Sequence, residues 1–223
     1  MIIAIDGPAG AGKSTLARAL AQRLGITYLD TGATYRALAW EARRRGVPWD
    51  NAGALAGLAA ELDLRFGEFT DKGQRLWSGD VEITEAIRTD EMAEGASIVS
   101  VPPEVRAAMV DLQRRIAAQQ AVVAEGRDTT TVVFPDADLK IFLVAGLEER
   151  ARRRAWELLS RGLEADVEEV QEAMALRDER DRSKPVGALV RADDAVELDT
   201  TGLDQGQVLE RVVALVRTLP QPR

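Results

Sequence analysis

The sequence contains no cysteine and no histidine. Disulfide bonds, thiolate nucleophiles, zinc sites built from cysteine and histidine, and acid–base catalysis by imidazole are therefore excluded. Whatever chemistry this chain performs depends on other side chains.

Long hydrophobic runs are also missing. The N-terminal apolar run from Met1 to Ile5 has no basic flank and ends at Asp6, which is too short for a signal peptide or a membrane span. No run long enough to span a membrane follows it. The sequence therefore predicts a cytoplasmic protein without a membrane partner.

An excess of basic charge is absent as well, because the formal net charge is −8 at pH 7. Proteins that bind the nucleic-acid backbone usually carry a basic surface, so no nucleic-acid partner is expected. The apolar share of 46% in 223 residues predicts a sizeable buried core. Any phosphate binding must be local.

Short apolar runs rich in β-branched residues recur along the chain, and each is typical of a buried parallel strand. They are Ile2 to Ile5, Ile26 to Leu29, Ala121 to Ala124, Leu139 to Val144 and Ala195 to Leu198. Helical patterns lie between them, at Leu16 to Leu24, at Asn51 to Ala60 and after Pro103. This alternation predicts an α/β fold with a parallel sheet and right-handed crossovers.

One stretch breaks the alternation. Leu62, Leu64 and Phe66 alternate with polar residues, and turns are predicted at Asp71-Lys72-Gly73 and at Ser78-Gly79-Asp80. This pattern predicts a small antiparallel meander inserted into the α/β core.

A phosphate-binding loop follows the first predicted strand and opens the first predicted helix, which is the context that the G-x-x-x-x-G-K-[S/T] motif requires. Its residues are Gly7, Pro8, Ala9, Gly10, Ala11, Gly12, Lys13, Ser14 and Thr15. Backbone N–H groups and the helix N-terminus bind phosphate in such loops, while Lys13 reaches the β- and γ-phosphates and Ser14 binds Mg²⁺. The sequence thus predicts an ATP site with Mg²⁺ as cofactor. A glycine-rich turn without a ligand is the structural alternative.

Such a loop does not by itself distinguish a GTPase, a motor ATPase and a small-molecule kinase. No N-K-x-D guanine motif or D-x-x-G switch occurs in the expected order, and the chain is short for a motor. A kinase is therefore favoured.

Several motifs follow one another in a specific order: GPAGAGKST, LDTGATYR, IRT, EGRD with TVVFPDA, KIFLVAGLEERARRR, and RDERD. In this order they resemble the bacterial cytidylate kinases along nearly the whole chain. The resemblance implies a P-loop kinase fold, with a five-stranded parallel sheet flanked by helices, an inserted acceptor-binding domain containing a small antiparallel sheet, and a helical lid. The implied boundaries are 1–35, 105–148 and 170–223 for the core, 36–104 for the nucleoside monophosphate-binding domain and 149–169 for the lid.

The resemblance also implies an acceptor site. Arg36 and Arg127 would grip the acceptor phosphate, which suits the bidentate geometry of guanidinium groups. Ser97, Arg106 and Asp128 would recognise cytosine. The base presents an N4 donor and an N3 acceptor, so its pocket needs an acceptor and a donor facing them.

Some acceptor assignments have structural alternatives. Thr31 is assigned to CMP binding, but Asp30 and Thr31 are equally explained as helix-capping residues. Arg36 and Arg127 would otherwise form surface ion pairs. Asp128 has positional support, since it lies just after the third predicted strand, where open α/β sheets bind ligands.

A run of arginines marks the implied lid. Arg150, Arg153 and Arg154 share one helical face and would repel one another unless an anion joined them. Two i,i+4 ion pairs typical of a solvated helix are predicted, Glu148 with Arg152 and Glu149 with Arg153. They leave Arg150 and Arg154 without a predicted partner. The residues assigned to catalysis are Lys13, Arg127, Arg150 and Arg154.

Arg177, Asp181 and Lys184 fall at i, i+4 and i+7, which predicts one face of a helix. The resemblance implies that this face binds acceptor phosphate and sugar hydroxyls, although a salt-bridged exposed face is the alternative. Lys184 stands where relatives carry arginine. Thr129-Thr130 stands where they usually carry an apolar residue and glycine.

The resulting hypothesis is an enzyme that transfers the γ-phosphoryl group of MgATP to CMP or dCMP. The acceptor oxygen is already ionised at neutral pH, so no general base is required, in keeping with the absence of histidine. A monomer with small-molecule partners is expected. Two alternatives remain: a kinase for UMP, AMP or another metabolite, and a nucleotide-sensing module without transfer.

Overall fold

The structure is a computed structural model that describes residues 1–70, 73–160, 162–183 and 186–219. Its strands are β1 Ile2–Asp6, β2 Thr27–Asp30, β3 Leu64–Thr70, β4 Gly73–Ser78, β5 Val81–Glu82, β6 Val122–Glu125, β7 Leu139–Val144 and β8 Val196–Asp199. Its α-helices are α1 Lys13–Leu24, α2 Thr31–Arg44, α3 Ala52–Glu61, α4 Asp90–Val99, α5 Pro103–Gln119, α6 Leu147–Ser160, α7 Val167–Arg182 and α8 Gln205–Arg217. A short 3-10 helix spans Ala86–Arg88, and a π-helical turn, here called the π-turn, spans Thr129–Val133.

Five strands form one sheet in the order β2-β6-β1-β7-β8. The pairs β1–β7 and β7–β8 are parallel, with Ile3 opposite Leu139 and Ile141 opposite Val196. Ile3, Ile141 and Leu143 are fully buried. The five predicted strands are confirmed to within a residue at their ends. Buried strands such as β1 and β6 give continuous apolar runs, whereas β8 lies at the edge of the sheet and is largely exposed.

The described chain divides into two compact units, Met1–Leu24 with Val123–Arg223, and Gly25–Val122. In the first unit α1 packs on α8, and α6 packs on α7. In the second unit α3 packs on α5, and α2 packs on α4. Gly95 on α4 lies against the ring of Trp49 in the second unit. A side chain at position 95 would collide with this ring.

The second unit also contains the predicted meander, which is confirmed. Strands β3, β4 and β5 form an antiparallel sheet, with Leu64 opposite Ser78 and an irregular register between Phe66 and Phe69. Gly79 adopts a φ of 55° at the predicted turn between β4 and β5, a conformation that favours glycine. Residues 71 and 72 of the other predicted turn lie outside the described residues.

No helix in these four described ranges is long and apolar enough to cross a membrane.

Candidate active site

The phosphate loop joins β1 to α1, as the motif predicts. Gly7, Gly10 and Gly12 have φ angles of 146°, 76° and 93°, which side-chain-bearing residues rarely adopt. A Cβ atom at Gly7 would lie 2.3 Å from the carbonyl oxygen of Leu143. The loop therefore needs these glycines, and it brings the backbone to the N-terminus of α1, where N–H groups and the helix dipole favour an anion.

Lys13 is the buried cation of this loop. Its Nζ atom donates to the carbonyl oxygen of Pro8 at 2.8 Å. Burial and the positive charge of Arg127 lower the pKa of Lys13 to about 7, although the negative charges of Glu125 and Asp6 act to raise it. A bound phosphate group would supply a negative counter-charge for this ammonium.

Other cations assigned to the site from the sequence lie near Lys13 in the same unit. Arg127 and Arg177 both act to lower its pKa. The pKa of Arg177 is itself lowered, first by burial and then by Arg127, and Arg154 contributes too. Arg127 donates through Nε to Asp181 at 2.8 Å, so one carboxylate partly balances the group. Mutual repulsion among partly buried cations is the electrostatic signature of an anion-binding site.

Glu125 is a site residue that the sequence reasoning missed. The hydroxyl of Ser14 donates to its Oε1 atom at 2.6 Å, and Glu125 is buried at the end of β6. A hydroxyl and a carboxylate are oxygen ligands of the kind that Mg²⁺ prefers. The available signal was an acidic residue at the carboxyl end of a predicted parallel strand, the edge where such sheets bind ligands.

Arg150, for which the sequence indicates no obvious partner, has one on α7. Its Nη2 atom lies 2.7 Å from Oδ2 of Asp178 on α7, and both side chains are almost completely buried. Its other nitrogens donate to the carbonyl oxygens of Ala9 and Ala145, each at 3.0 Å. Arg150 thus fastens α6 and α7 to the backbone of the phosphate loop, through contacts that helical spacing alone does not reveal.

The two predicted ion pairs of α6 are confirmed, with distances of 2.5 Å for Glu148–Arg152 and 2.9 Å for Glu149–Arg153. Arg153 also donates to the backbone carbonyl of Thr200 at 2.7 Å. Arg154, which also had no obvious partner in the sequence, pairs with Glu157 at 2.8 Å one turn along the helix. Both members of that pair are exposed, so the interaction is weak and exchangeable.

The predicted helical face is only partly observed. Arg177 and Asp181 lie on α7, but α7 ends at Arg182, with the backbone N–H of Ser183 bonded to the carbonyl oxygen of Glu179. The Ser183 hydroxyl donates to the same oxygen at 2.8 Å, a local bond that favours helix termination. Lys184, the third residue of the predicted face, lies outside the described residues.

In the second unit Asp30 has two roles. Its Oδ1 atom caps α2 by accepting from the backbone N–H of Ala33 at 2.9 Å, and its Oδ2 atom pairs with Arg36 at 2.8 Å. The capping alternative is thus confirmed for Asp30. Thr31 is buried, and its carbonyl oxygen accepts from the hydroxyl of Thr34 at 2.7 Å.

The three residues assigned to cytosine lie on different elements. Ser97 is exposed on α4, and its hydroxyl donates to the carbonyl oxygen of Ala93 at 3.1 Å. Arg106 is half-buried on α5. Asp128 is half-buried in the first unit, directly before the π-turn.

A parallel α/β sheet, a glycine-dependent phosphate loop, a buried lysine and the surrounding arginines define a P-loop kinase. The cytidylate kinase family model matches residues 3–218. The chain belongs to the cytidylate kinase family.

Individual relatives agree with this assignment. The chain is 46% identical over 213 residues to a cytidylate kinase of Exiguobacterium sibiricum, covering 96% of this chain and 95% of that one. It is 46% identical over 217 residues to a cytidylate kinase of Geobacter sulfurreducens, covering 97% and 93%. Among solved structures, an uncharacterised protein of Eubacterium ventriosum shares the fold at a TM-score of 0.56, with 12% identity and 98% of each chain covered.

Proposed function

We propose that this protein transfers the γ-phosphoryl group of ATP to CMP and dCMP, forming ADP and CDP or dCDP. The observation that carries the proposal is the cationic group of Lys13, Arg127 and Arg177, in which burial and mutual repulsion lower the pKa values of Lys13 and Arg177. Family membership supplies the class of acceptor.

The donor phosphates bind to the loop. Backbone N–H groups of residues 7–15 and the ammonium of Lys13 would contact them, and Mg²⁺ would bind the Ser14 hydroxyl. Because that hydroxyl donates its proton to Glu125, its lone pairs are directed away from the carboxylate and left for the metal. When bound, Mg²⁺ neutralises charge on the transferring phosphoryl group.

The acceptor residues are those assigned from the resemblance, and they remain proposals. Phosphate and sugar contacts are assigned to Thr31, Arg36, Arg127, Arg177, Asp181 and Lys184, and base contacts to Ser97, Arg106 and Asp128. The acceptor oxygen is ionised at neutral pH, so rate enhancement comes from alignment and from neutralisation of charge.

Arg150 and Arg154 are proposed to stabilise the transferring group. The two arginines differ in the free energy needed to break the ion pairs they form in this structure. Arg154 would exchange an exposed pair with Glu157 for phosphate, which costs little. Arg150 would have to leave the buried carboxylate of Asp178. The geometry therefore favours Arg154 over Arg150 as the arginine that reaches phosphate.

A coupled assay of ADP formation with CMP, dCMP, UMP, AMP and no acceptor tests the proposal. CMP-dependent ADP formation supports it, together with a product that co-elutes with CDP. ADP formation with another acceptor alone would identify a different kinase. ATP binding without acceptor-dependent ADP formation would identify a nucleotide-sensing module.

The expected setting is a cytoplasmic monomer with small-molecule partners and no nucleic acid. The net charge of −8 supports the last point.

A further inference from the structure

The carboxylate of Asp6 links the phosphate loop to the π-turn. Asp6 is the last residue of β1, directly precedes Gly7 and is fully buried. Its Oδ1 atom accepts from the backbone N–H of Thr129 at 3.0 Å. Its Oδ2 atom accepts from the backbone N–H of Thr130 at 2.6 Å and from the Thr130 hydroxyl at 2.7 Å. One carboxylate therefore receives three hydrogen bonds from two adjacent residues.

The π-turn fixes the backbone position of the proposed acceptor residues Arg127 and Asp128. The carbonyl oxygen of Asp128 accepts from the N–H groups of Val132 and Val133, and that of Thr129 accepts from Phe134. Arg127 and Asp128 directly precede these bonds. The backbone of these two residues lies between β6 and the π-turn. Because Asp6 holds the π-turn in place, the position of the π-turn also determines the position of Arg127 and Asp128.

The two adjacent threonines differ in one respect that matters. Both are buried, but the hydroxyl of Thr129 has no hydrogen-bond partner among the residues that the structure describes, whereas the hydroxyl of Thr130 is bonded to the carboxylate. A hydrogen bond to a charged group is stronger than one between neutral groups. Thr130 thus adds a side-chain anchor to the two backbone anchors, and Thr129 does not.

We propose that Thr130 is a positioning residue for phosphoryl transfer, whose hydroxyl fixes the Asp6 carboxylate and with it the spacing between the phosphate loop and the Arg127–Asp128 segment. This inference rests on the proposed function. In-line transfer depends steeply on the relative placement of donor and acceptor, and a displacement of about 1 Å can cost about a hundredfold in rate. Because the Thr130 side chain is almost completely buried, we expect its effect to fall on turnover.

Three variants of the full-length chain test the proposal. Thr130→Val removes the bonded hydroxyl while keeping the shape of the side chain. Thr129→Val makes the same change one residue away, where the hydroxyl bonds to no described residue, and serves as the matched control. Thr130→Ser retains the hydroxyl and serves as the rescue variant. Initial rates with MgATP and CMP, measured well below the melting temperature of each variant, give kcat and both KM values.

We expect kcat of Thr130→Val to fall about tenfold, with the KM values for ATP and CMP within about twofold of the wild type. Thr129→Val should match the wild type, and Thr130→Ser should recover kcat to within about threefold. A purely structural role would lower the melting temperature of Thr130→Val and leave its kcat unchanged. If that variant does not fold, Thr130→Ala removes the same hydroxyl without adding a methyl group and replaces it in the comparison.

Two results would overturn the role of Thr130 but leave the proposed function intact, provided that the wild-type protein is active. The first is an equal kcat for Thr130→Val and Thr129→Val, and the second is a Thr130→Ser variant as slow as Thr130→Val. A wild-type protein that does not phosphorylate CMP would overturn the proposed function and this inference together.

Discussion

The buried charge of Lys13 affects both the stability of the fold and the proposed phosphoryl transfer. Its ammonium is buried beside two arginines, and its hydrogen bond in the described structure goes to a backbone carbonyl. A buried ammonium without a full counter-charge is costly, and such a cost is tolerated where a ligand supplies the missing charge. Two predictions follow from this environment.

Replacing the ammonium should abolish turnover while leaving the fold intact. Lys13→Met keeps an unbranched chain of similar volume but removes charge stabilisation of the transferring phosphoryl group. We expect kcat with MgATP and CMP to fall by about two to three orders of magnitude. The melting temperature, measured by circular dichroism, should not decrease, because the cost of burying the charge is also removed. Near-wild-type turnover in the folded variant would rule out transfer at this loop.

Binding of ATP should take up a proton above pH 7. With a pKa of about 7, Lys13 is mostly neutral at pH 8 in the free protein, and bound phosphate raises this pKa toward its ordinary value. Uptake of about one proton per ATP at pH 8 follows, and affinity should weaken as pH rises above 7.

Calorimetric titrations with MgATP at pH 8, in two buffers of different ionisation enthalpy, measure this proton uptake. The Lys13→Met variant is the control and should lose it. The same uptake in both proteins would assign the proton to another group.

At the scale of elements, α6 and α7 are fixed to the phosphate loop by one small apolar cluster and one buried ion pair. Ala9, Ala151 and Met174 form the cluster. A side chain at Gly10 would lie 2.7 Å from the end of Met174, so the loop and α7 approach as closely as glycine permits. The buried pair of Arg150 and Asp178 completes this junction.

Removing one partner of this pair should be strongly destabilising. Asp178→Ala leaves the Arg150 guanidinium buried without its carboxylate, and we expect the free energy of unfolding to fall by about 3 to 5 kcal/mol. Glu148→Gln is the control, since its pair with Arg152 is exposed, and it should leave the free energy of unfolding close to that of the wild type.

Urea unfolding at pH 7 compares the Asp178→Ala and Glu148→Gln variants. Equal, small losses in both would show that the buried pair does not hold the junction.

The same elements show what a sequence can reveal. The strands were predictable because buried parallel strands are apolar on both faces, and the phosphate loop because its glycines are required by backbone geometry. The Arg150–Asp178 pair was not predictable, since it joins two helices through tertiary packing. Glu125 was missed for a related reason, because its role depends on the Ser14 hydroxyl, which lies 111 residues earlier in the chain.

At the scale of the whole molecule, the acidic net charge disfavours nucleic acid, whereas the local cationic site favours small phosphorylated ligands. A chain with a formal charge of −8 repels nucleic acid broadly, yet it concentrates Lys13, Arg127, Arg154 and Arg177 in one unit. Small phosphorylated substrates are the ligands that fit this combination. The remaining question at this scale is which base the acceptor carries.

The most direct test of the central claim compares kcat/KM for CMP, dCMP and UMP with saturating MgATP. Uracil presents O4 and N3–H where cytosine presents an N4 amino group and N3. UMP would therefore leave Asp128 or Arg106, the residues proposed for base recognition, facing a like partner. We expect CMP and dCMP to be preferred over UMP by about two orders of magnitude or more. Equal values for CMP and UMP would contradict the cytosine assignment, even in an active kinase.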